Sequence, residues 1–284
     1  MKFALTRALV LFTTLLAGVG CNHNERARDD TSRVALTTPP PKPYLLHLPG
    51  IGGARRIDKM LTEGLVQGGI DADVEIHDWV GADEGMSALY AHARHQHEAD
   101  VVAQMITDKF RADPRTMIYL SGHSGGTGIA LWALERLPDD VHIETLLLLA
   151  SAMSPTYDLS PALWHVRGKA YVLYSPFDPV LGMGTRMFGT IDGVKTDAAG
   201  RVGFTMPKDA ADPRQYDKLV QIPYDSSWIR LNNIGDHIGA MMRPFAREIL
   251  SPLLQTGVLR DVARAAMRPT TRPATAPATT RSAQ

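Results

Sequence analysis

The sequence predicts an α/β protein built on a mostly parallel, doubly wound sheet with helices on both faces. Three observations lead to this prediction. Short apolar runs of strand length alternate with longer segments of helical periodicity. Glycine and proline residues occur between these segments, as is typical of turns. Several of the short runs are apolar at every position. Strands of that last kind are buried on both faces, which is typical of parallel sheets covered by helices.

The elements follow one another in order along residues 44–254. Strands are predicted at 44–48, 74–80, 117–120, 145–150 and 170–174. Helices are predicted at 57–66, 88–110, 128–137 and 244–253, of which the first two carry apolar residues at helical spacing. A short helix is expected around 161–166. Residues 190–194 and 201–205 flank the turn 196–200, which predicts a small β-hairpin insertion ahead of the final helix.

The two ends of the chain differ in composition from this folded middle. In residues 1–20, Lys2 and Arg7 precede an apolar run at 8–17. That run is shorter than the ~20 residues that span a bilayer and is typical of a secretory signal peptide. Residues 21–43 are polar and then proline-rich, which predicts a tether. Residues 44–256 form the predicted domain, and 257–284, rich in Thr, Ala, Pro and Arg, form a disordered basic tail.

Cys21 lies at the end of the predicted signal peptide and is the only cysteine of the chain. The segment 16–21, Leu-Ala-Gly-Val-Gly-Cys, resembles a bacterial lipobox, with Gly18 where a larger aliphatic residue is usual. This resemblance implies that Cys21 is lipidated and becomes the first mature residue, so that the protein is exported and anchored to the cell envelope. The alternative is simple cleavage, which leaves an exported or periplasmic protein in which Cys21 has no role.

Charge and cysteine content exclude two classes of protein. Thirty basic and thirty acidic residues give a net charge of zero, whereas a dedicated nucleic-acid binder needs a basic field. A single cysteine excludes an intrachain disulfide and a cysteine-based zinc site. His92, His95 and His97 crowd on one predicted helix, and a solvated helix face is the better explanation. We therefore predict no metal.

The first chemical motif is Gly122-His123-Ser124-Gly125-Gly126, which lies between a predicted strand and a predicted helix. This Gly-x-Ser-x-Gly spacing is typical of a sharp strand-to-helix turn in which the serine hydroxyl is exposed. Side chains at Gly122 and Gly126 would clash in such a turn. The alternative is a glycine-rich turn with no chemistry.

Two further residues follow strands or precede the last helix. Asp178 stands just past the strand 170–174, where its carboxylate can receive an imidazole N–H. His237 lies in a glycine-bounded loop, 233–239, directly before the final helical region. Because chemistry in parallel α/β sheets collects at the carboxyl ends of the strands, these residues can meet Ser124 there. A helix-capping aspartate and an unremarkable loop histidine are the alternatives.

The order Ser124, Asp178, His237, together with the sheet pattern, resembles the α/β-hydrolase superfamily over residues 44–254. The resemblance implies an α/β-hydrolase fold and a catalytic triad of serine nucleophile, acid and histidine base, with no cofactor. It also implies that the backbone N–H groups of Gly125 and Ile51 form the oxyanion hole. At the latter loop this chain has Pro49-Gly50 where the superfamily usually has His-Gly.

This reasoning predicts an extracytoplasmic serine hydrolase that cleaves carboxylic esters of small molecules or lipids. One alternative is a catalytically silent member that binds a ligand or an envelope partner, and another is amide hydrolysis or acyl transfer by the same serine. Met183, Met187 and Phe188 fall in the insertion expected to wall the pocket. They would suit an acyl chain if exposed, or pack the core if buried.

Overall fold

The computed structural model describes residues 39–82 and 85–256. The predicted signal peptide, Cys21, the tether up to residue 38 and the tail 257–284 lie outside the described residues, so these assignments stay predictions. Within the described ranges, none of the helices combines the length and the hydropathy needed to cross a bilayer.

Six strands form one sheet in which every neighbouring pair is parallel. In chain order the strands are β1 Tyr44–Leu48, β2 Asp73–Ile76, β3 Ile118–His123, β4 Thr145–Leu149, β5 Ala170–Tyr174 and β6 Leu219–Pro223. Their order across the sheet is β2-β1-β3-β4-β5-β6. This all-parallel sheet, with helices between its strands, fits the predicted α/β-hydrolase fold, and the predicted α/β class with a parallel sheet is confirmed.

The helices follow the strands along the chain. In chain order they are α1 Arg56–Gln67, α2 Met86–Tyr90, α3 His92–Ala112, α4 Gly126–Leu134, α5 Ser160–Trp164, α6 Pro179–Phe188, α7 Ala199–Val202, α8 Arg243–Phe245 and α9 Ser251–Thr256. A π-helical turn, Ala246–Leu250, joins the last two. Short 3₁₀ helices occur at Pro213–Lys218, Ser226–Leu231 and Gly239–Met241.

The core lies on both faces of the sheet, as the apolar strands predicted. In β4 the side chains alternate between the two layers: Leu146 and Leu148 pack with α3 and α4, whereas Leu147 and Leu149 pack with α1 and the C-terminal helices. All four leucines are fully buried. Two helical layers therefore hold the strand ends rigidly, and this rigidity positions the residues that follow each strand.

Several predicted elements differ from the structure in detail. The strand expected at 74–80 ends at Ile76, and the helix expected at 244–253 is interrupted by the π-helical turn. The helix expected at 88–110 is two helices, α2 and α3, which are separated at Ala91. Nε2 of the buried His95 donates a hydrogen bond to the Ala88 carbonyl oxygen at 2.7 Å. The side chain of His95 thus occupies a carbonyl that a continuous helix would offer to its own backbone. His95 is fully buried, so the expected solvated face is also wrong at this position.

The predicted β-hairpin insertion is absent from the described insertion, 179–218, which contains α6, a tight turn at 190–194 and the short helix α7 instead. The backbone of Gly200 bridges two strand ends. Its N–H donates to the Ser151 carbonyl at 2.7 Å, and its carbonyl accepts from Ser175 N–H at 2.9 Å. These long-range bonds satisfy polar groups that a hairpin would have paired locally. The edge strand β6 was not predicted.

Candidate active site

Ser124 occupies the strained turn that the Gly-x-Ser-x-Gly motif predicted. It directly follows β3 and has a φ of 52°, a left-handed conformation that is costly for a residue with a side chain. A Cβ at Gly126 would overlap the carbonyl oxygens of Leu48 and Pro49, and one at Gly122 would lie 2.9 Å from the Gly126 carbonyl oxygen. The two glycines thus let β1, β3 and α4 meet closely and hold Ser124 at the carboxyl edge of the sheet.

His237 is hydrogen-bonded to both of the residues with which it was predicted to act. Its Nδ1 lies 2.7 Å from Asp178 Oδ2 and its Nε2 lies 3.0 Å from Ser124 Oγ. The carboxylate accepts only, so Nδ1 carries the proton and Nε2 accepts from the serine hydroxyl. The structure therefore brings together three residues that lie 54 and 59 positions apart along the chain.

Asp178 binds two groups at once. Its Oδ2 accepts from His237, while its Oδ1 accepts from the backbone N–H of Leu181 at 3.0 Å and caps α6. Pro179 occupies the first turn of that helix, where its missing N–H costs nothing. The two interpretations of this aspartate, helix cap and histidine partner, are therefore both correct. The cap holds the carboxylate in the orientation that the imidazole needs.

Asp236 is the sequence neighbour of His237, yet its carboxylate makes no hydrogen bond with that imidazole. Within the described residues its buried Oδ1 has no hydrogen-bond partner. Adjacent side chains in this loop diverge, which leaves Asp178 as the carboxylate that contacts the histidine.

The loop after β1, where Ile51 was expected to supply a backbone donor, lies against the serine turn. A Cβ at Gly50 would lie 3.1 Å from Ser124 Cβ, and one at Gly125 would lie 2.7 Å from Ile51 Cγ2. In residues 39–82 and 85–256, neither Ile51 N–H nor Gly125 N–H donates a hydrogen bond to another protein group. Both donors therefore stay available beside Ser124.

Trp79 anchors this loop, a role that sequence reasoning missed. The indole is fully buried, and its Nε1 donates to the Pro49 carbonyl oxygen at 2.7 Å. Gly85 N–H donates to the Ile51 carbonyl oxygen at 2.7 Å. The signal in the sequence was a tryptophan near the end of the predicted strand 74–80, where a buried indole needs an acceptor for its N–H.

A buried polar chain lies beneath the same loop. His47 Nε2 is 2.9 Å from Asp58 Oδ1, and His47 Nδ1 is 3.1 Å from Ser121 Oγ. Asp58 Oδ2 accepts from the backbone N–H of Arg55 at 2.8 Å, at the start of α1. Burial raises the pKa of Asp58, but the His47 hydrogen bond and charge, with the Arg55 bond, lower it below its ordinary value. All three side chains are buried, and their hydrogen bonds join β1, β3 and α1. Asp58 also borders a cavity beside Ser124.

His123 lies between the serine turn and the histidine loop. Its Nε2 donates to the main-chain oxygen of His237 at 2.9 Å, and the two imidazole rings are 4.9 Å apart. Burial, followed by the charge of His237, lowers the pKa of His123 to about 3. The ring is therefore neutral near neutral pH and adds no positive charge beside His237. Nothing in the sequence pattern singled out this residue.

A cavity of about 250 Å³ adjoins Ser124 and His237. Its walls are mostly apolar and come from the loop after β1, the start of α1, the start of α6 and the segments around Ser124 and His237, with Ile51, Ile57, Val180 and Ile238 among them. Arg55 and Asp58 also line it. Of the insertion residues, Val180 lines this cavity, whereas Met183, Met187 and Phe188 are exposed on α6. A second cavity, of about 20 Å³ behind Asp178, is too small for an acyl group.

The histidines expected to carry no metal form no ligand set in this part of the chain. Across the residues that the structure describes, no group of three or more His, Cys, Asp or Glu side chains is placed to hold a metal ion. The His92 and His95 rings meet edge to face at 5.6 Å, and His95 also stacks on Trp132.

Comparison with known proteins finds only distant likeness. No protein family model matches this sequence, and no curated protein sequence is significantly similar to it. The chain is 13% identical to an uncharacterized protein from Bacillus cereus (TM-score 0.40), with 76% of this chain and 62% of that one covered. It is 15% identical to a predicted CIB-like hydrolase from Thermoplasma acidophilum (TM-score 0.39, 74% and 86% covered). It is also 15% identical to Est1E from Butyrivibrio proteoclasticus (TM-score 0.37, 75% and 88% covered). At this level the likenesses carry no argument about activity, which has to come from the site.

Proposed function

We propose that this protein is a serine hydrolase that cleaves carboxylic esters. The observation that carries the proposal is the continuous hydrogen-bonded chain from Asp178 Oδ2 through His237 to Ser124 Oγ, at 2.7 and 3.0 Å. A serine hydroxyl is a poor nucleophile until a base takes its proton, and here the base is within reach and its other nitrogen is held by a carboxylate.

In the first step, Ser124 Oγ attacks the ester carbonyl carbon while His237 Nε2 takes the hydroxyl proton. The carbonyl π electrons move to oxygen, and the backbone N–H groups of Gly125 and Ile51 bind the resulting oxyanion. Asp178 holds the imidazole in the required tautomer and stabilises the imidazolium. When the tetrahedral intermediate collapses, the bond to the alkoxy oxygen breaks and His237 returns the proton to the leaving alcohol.

In the second step, a water molecule gives a proton to His237 and attacks the acyl-enzyme carbonyl carbon. Collapse of this intermediate breaks the bond to Ser124 Oγ, which regains its proton from His237 and releases the carboxylic acid. The cycle needs no metal and no cofactor. The apolar walls of the cavity beside Ser124 favour an apolar acyl group.

The experiment that tests this proposal is active-site labelling followed by turnover. A fluorophosphonate probe should label the protein, and Ser124→Ala should abolish the labelling while circular dichroism shows an unchanged fold. A panel of p-nitrophenyl esters of increasing chain length then defines the acyl preference. A folded protein that neither reacts with the probe nor hydrolyses any ester would instead be a silent ligand-binding member of the fold.

Amide hydrolysis and acyl transfer use the same acyl-enzyme and differ only in the leaving group or the acceptor. Competing amine and alcohol acceptors in the turnover assay separate them from hydrolysis. The relative amounts of the products give the ratio of acyl transfer to hydrolysis.

We also propose that the protein is exported and lipidated at Cys21. Support comes from the sequence alone: a basic start, a short apolar run and the sole cysteine at their boundary. Lipidation at that position would place the hydrolase at a membrane of the cell envelope.

A further inference from the structure

Exposed apolar side chains are concentrated on two segments that border the Ser124 cavity, residues 177–187 and 234–238. They are Phe177, Val180, Met183, Met187, Ile234 and Ile238, and we call the surface that they form the mouth surface. All six side chains are exposed, with Phe177 and Met183 at 68% and 67%. Single exposed apolar residues are common on soluble proteins, but a contiguous set beside a ligand site marks an interaction surface.

Helix α6 contributes one face to the mouth surface. Val180, Met183 and Met187 recur at spacings of three and four and lie on one side of the helix. The opposite side carries the buried Leu181 and Thr185. The helix therefore has a second apolar face that faces away from the core of the described domain.

The histidine loop continues this surface to the catalytic residues. Val180 and Ile238 line the cavity that contains Ser124 and His237. On the other side, the ring of Phe177 meets that of Tyr224 edge to face at 5.9 Å, and Gly235 of the histidine loop lies against Tyr224. An acyl chain leaving the cavity would thus pass directly onto the mouth surface.

The charge on helix α6 is neutralised by an ion pair. Arg186 is the only charged residue of α6, and its guanidinium donates to both carboxylate oxygens of Asp197, at 2.9 and 2.7 Å. The face made by Val180, Met183 and Met187 carries no charged side chain. It therefore suits a hydrocarbon environment better than a charged macromolecular partner.

The chain outside the described residues has the length to bring this surface to a membrane. Pro39 lies eighteen positions after Cys21, a contour of roughly 60 Å at ~3.3–3.6 Å per residue. The catalytic edge lies at the opposite end of β1 from the chain entry at Tyr44, and the five residues of β1 span about 17 Å. A lipid anchor at Cys21 would leave enough chain for the mouth surface to reach the bilayer.

We propose that the mouth surface docks on the lipid bilayer, and that the site draws amphiphilic acyl esters from the membrane. The substrate class rests on the proposed hydrolase function, whereas docking itself does not. Met183, Met187 and Phe177 would enter the acyl region and present the cavity mouth to the lipids, so that an ester enters without crossing water.

The test is binding to vesicles of pure phosphatidylcholine, which carry no net charge and so give the basic tail no anionic partner. The protein used is the predicted mature chain, residues 21–284, with Cys21→Ser and Ser124→Ala, which lacks the apolar run 8–17, the proposed anchor and turnover. We expect co-sedimentation with the vesicles that persists at high salt, because apolar insertion is not screened. Met183→Ser with Met187→Ser should weaken binding by at least about tenfold.

Val66→Ser with Met117→Ser is the matched control. Both residues are exposed and apolar, but Val66 lies near the end of α1 and Met117 directly precedes β3, at the amino edge of the sheet. This pair should bind vesicles as the parent does. Equal loss in both pairs, no binding by the parent, or binding only to anionic vesicles would each overturn the proposal. A parent dimer that becomes monomeric with Met183→Ser and Met187→Ser would identify a second copy as the occupant instead.

Labelling by a fluorophosphonate probe, measured without vesicles on the Cys21→Ser protein, separates the two proposals. Labelling without vesicle binding would refute the docking proposal and support the hydrolase proposal. Vesicle binding without labelling would refute the hydrolase proposal and support a membrane-docking surface on a protein without this reaction.

Discussion

Nε2 of His123 donates a hydrogen bond to the main-chain oxygen of His237 at 2.9 Å, across 114 residues of chain. One end of this bond is the residue before the proposed nucleophile, and the other is the backbone of the proposed base. The bond therefore couples the position of the imidazole to that of the serine without contacting substrate. We consider His123 a positioning residue of the site.

Replacing His123 should separate turnover from binding. In His123→Phe the ring is kept but the donor is lost, so the histidine loop can shift, and a shift of about 1 Å can cost about 10²-fold in kcat. His123→Gln keeps a donor near the position of Nε2 and should recover most of the rate. Steady-state kinetics on one soluble ester should show these changes in kcat, with KM nearly constant. If the Phe and Gln variants are equally impaired, the hydrogen bond has no positioning role.

Acid should destabilise the native protein partly through His123. Its folded-state pKa of about 3 lies below its ordinary value of 6.5. Between these two pH values, His123 therefore binds a proton in the unfolded chain but not in the folded one. The free energy of unfolding therefore falls as pH drops below about 6.5, by up to about 1.4 kcal/mol per pH unit, and the effect levels off near the folded-state pKa. Well above about pH 6.5, His123 is neutral in both states and no longer changes the free energy of unfolding with pH.

The measurement is urea unfolding of the wild type and His123→Gln at about pH 7, pH 5.5 and pH 4. The wild type's stability relative to the variant should decline as pH falls, because Gln has no proton to bind. Parallel pH profiles for the two proteins would contradict the assignment of a buried, neutral His123.

The acid of the triad should be Asp178 and not Asp236. Asparagine preserves the shape of the carboxylate but favours the wrong imidazole tautomer, a change that costs ~10⁴ in kcat in a serine protease. Asp178→Asn should therefore lose several orders of magnitude in kcat. Asp236→Asn should lose little, because the Asp236 carboxylate makes no bond to His237. The reverse ranking on folded variants would overturn the assignment, and equal modest losses would mean that either carboxylate can serve.

Cys21 should carry lipid when the full chain is made in a bacterial host. Lipidation makes this cysteine the first residue of the mature protein and adds acyl mass, so intact mass spectrometry measures both at once. Cys21→Ser should move the protein from the membrane fraction to the soluble one. A mature N-terminus at any other residue, without added acyl mass, would refute the anchor.

Much of the fold could be predicted from the sequence because the patterns that indicate it are local. β4 and β5 are continuous apolar runs, and such runs leave few alternatives to a buried parallel strand. The spacing of Gly122, Ser124 and Gly126 likewise encodes a turn whose geometry depends on five consecutive residues. These features need no knowledge of distant parts of the chain.

The insertion before His237 was mispredicted because its structure depends on distant partners. The backbone of Gly200 pairs with Ser151 and Ser175, at the ends of β4 and β5, instead of forming a hairpin with its neighbours. The edge strand β6 was missed because it is only partly buried and carries Gln221 at its centre. The Gln221 side chain binds both the N–H and the carbonyl of Phe204, a contact that no local pattern encodes.

Local patterns in the sequence were sufficient to predict the parallel α/β sheet, the serine turn and three candidate catalytic residues, because apolar periodicity and glycine spacing act over a few residues. Tertiary packing, by contrast, sets the hydrogen bonds by which His123, Trp79 and the His47–Asp58 pair brace the site. Each of these contacts joins segments that are separate in the chain. A hydrogen bond requires both partners within about 3 Å, and packing of the whole domain sets that distance.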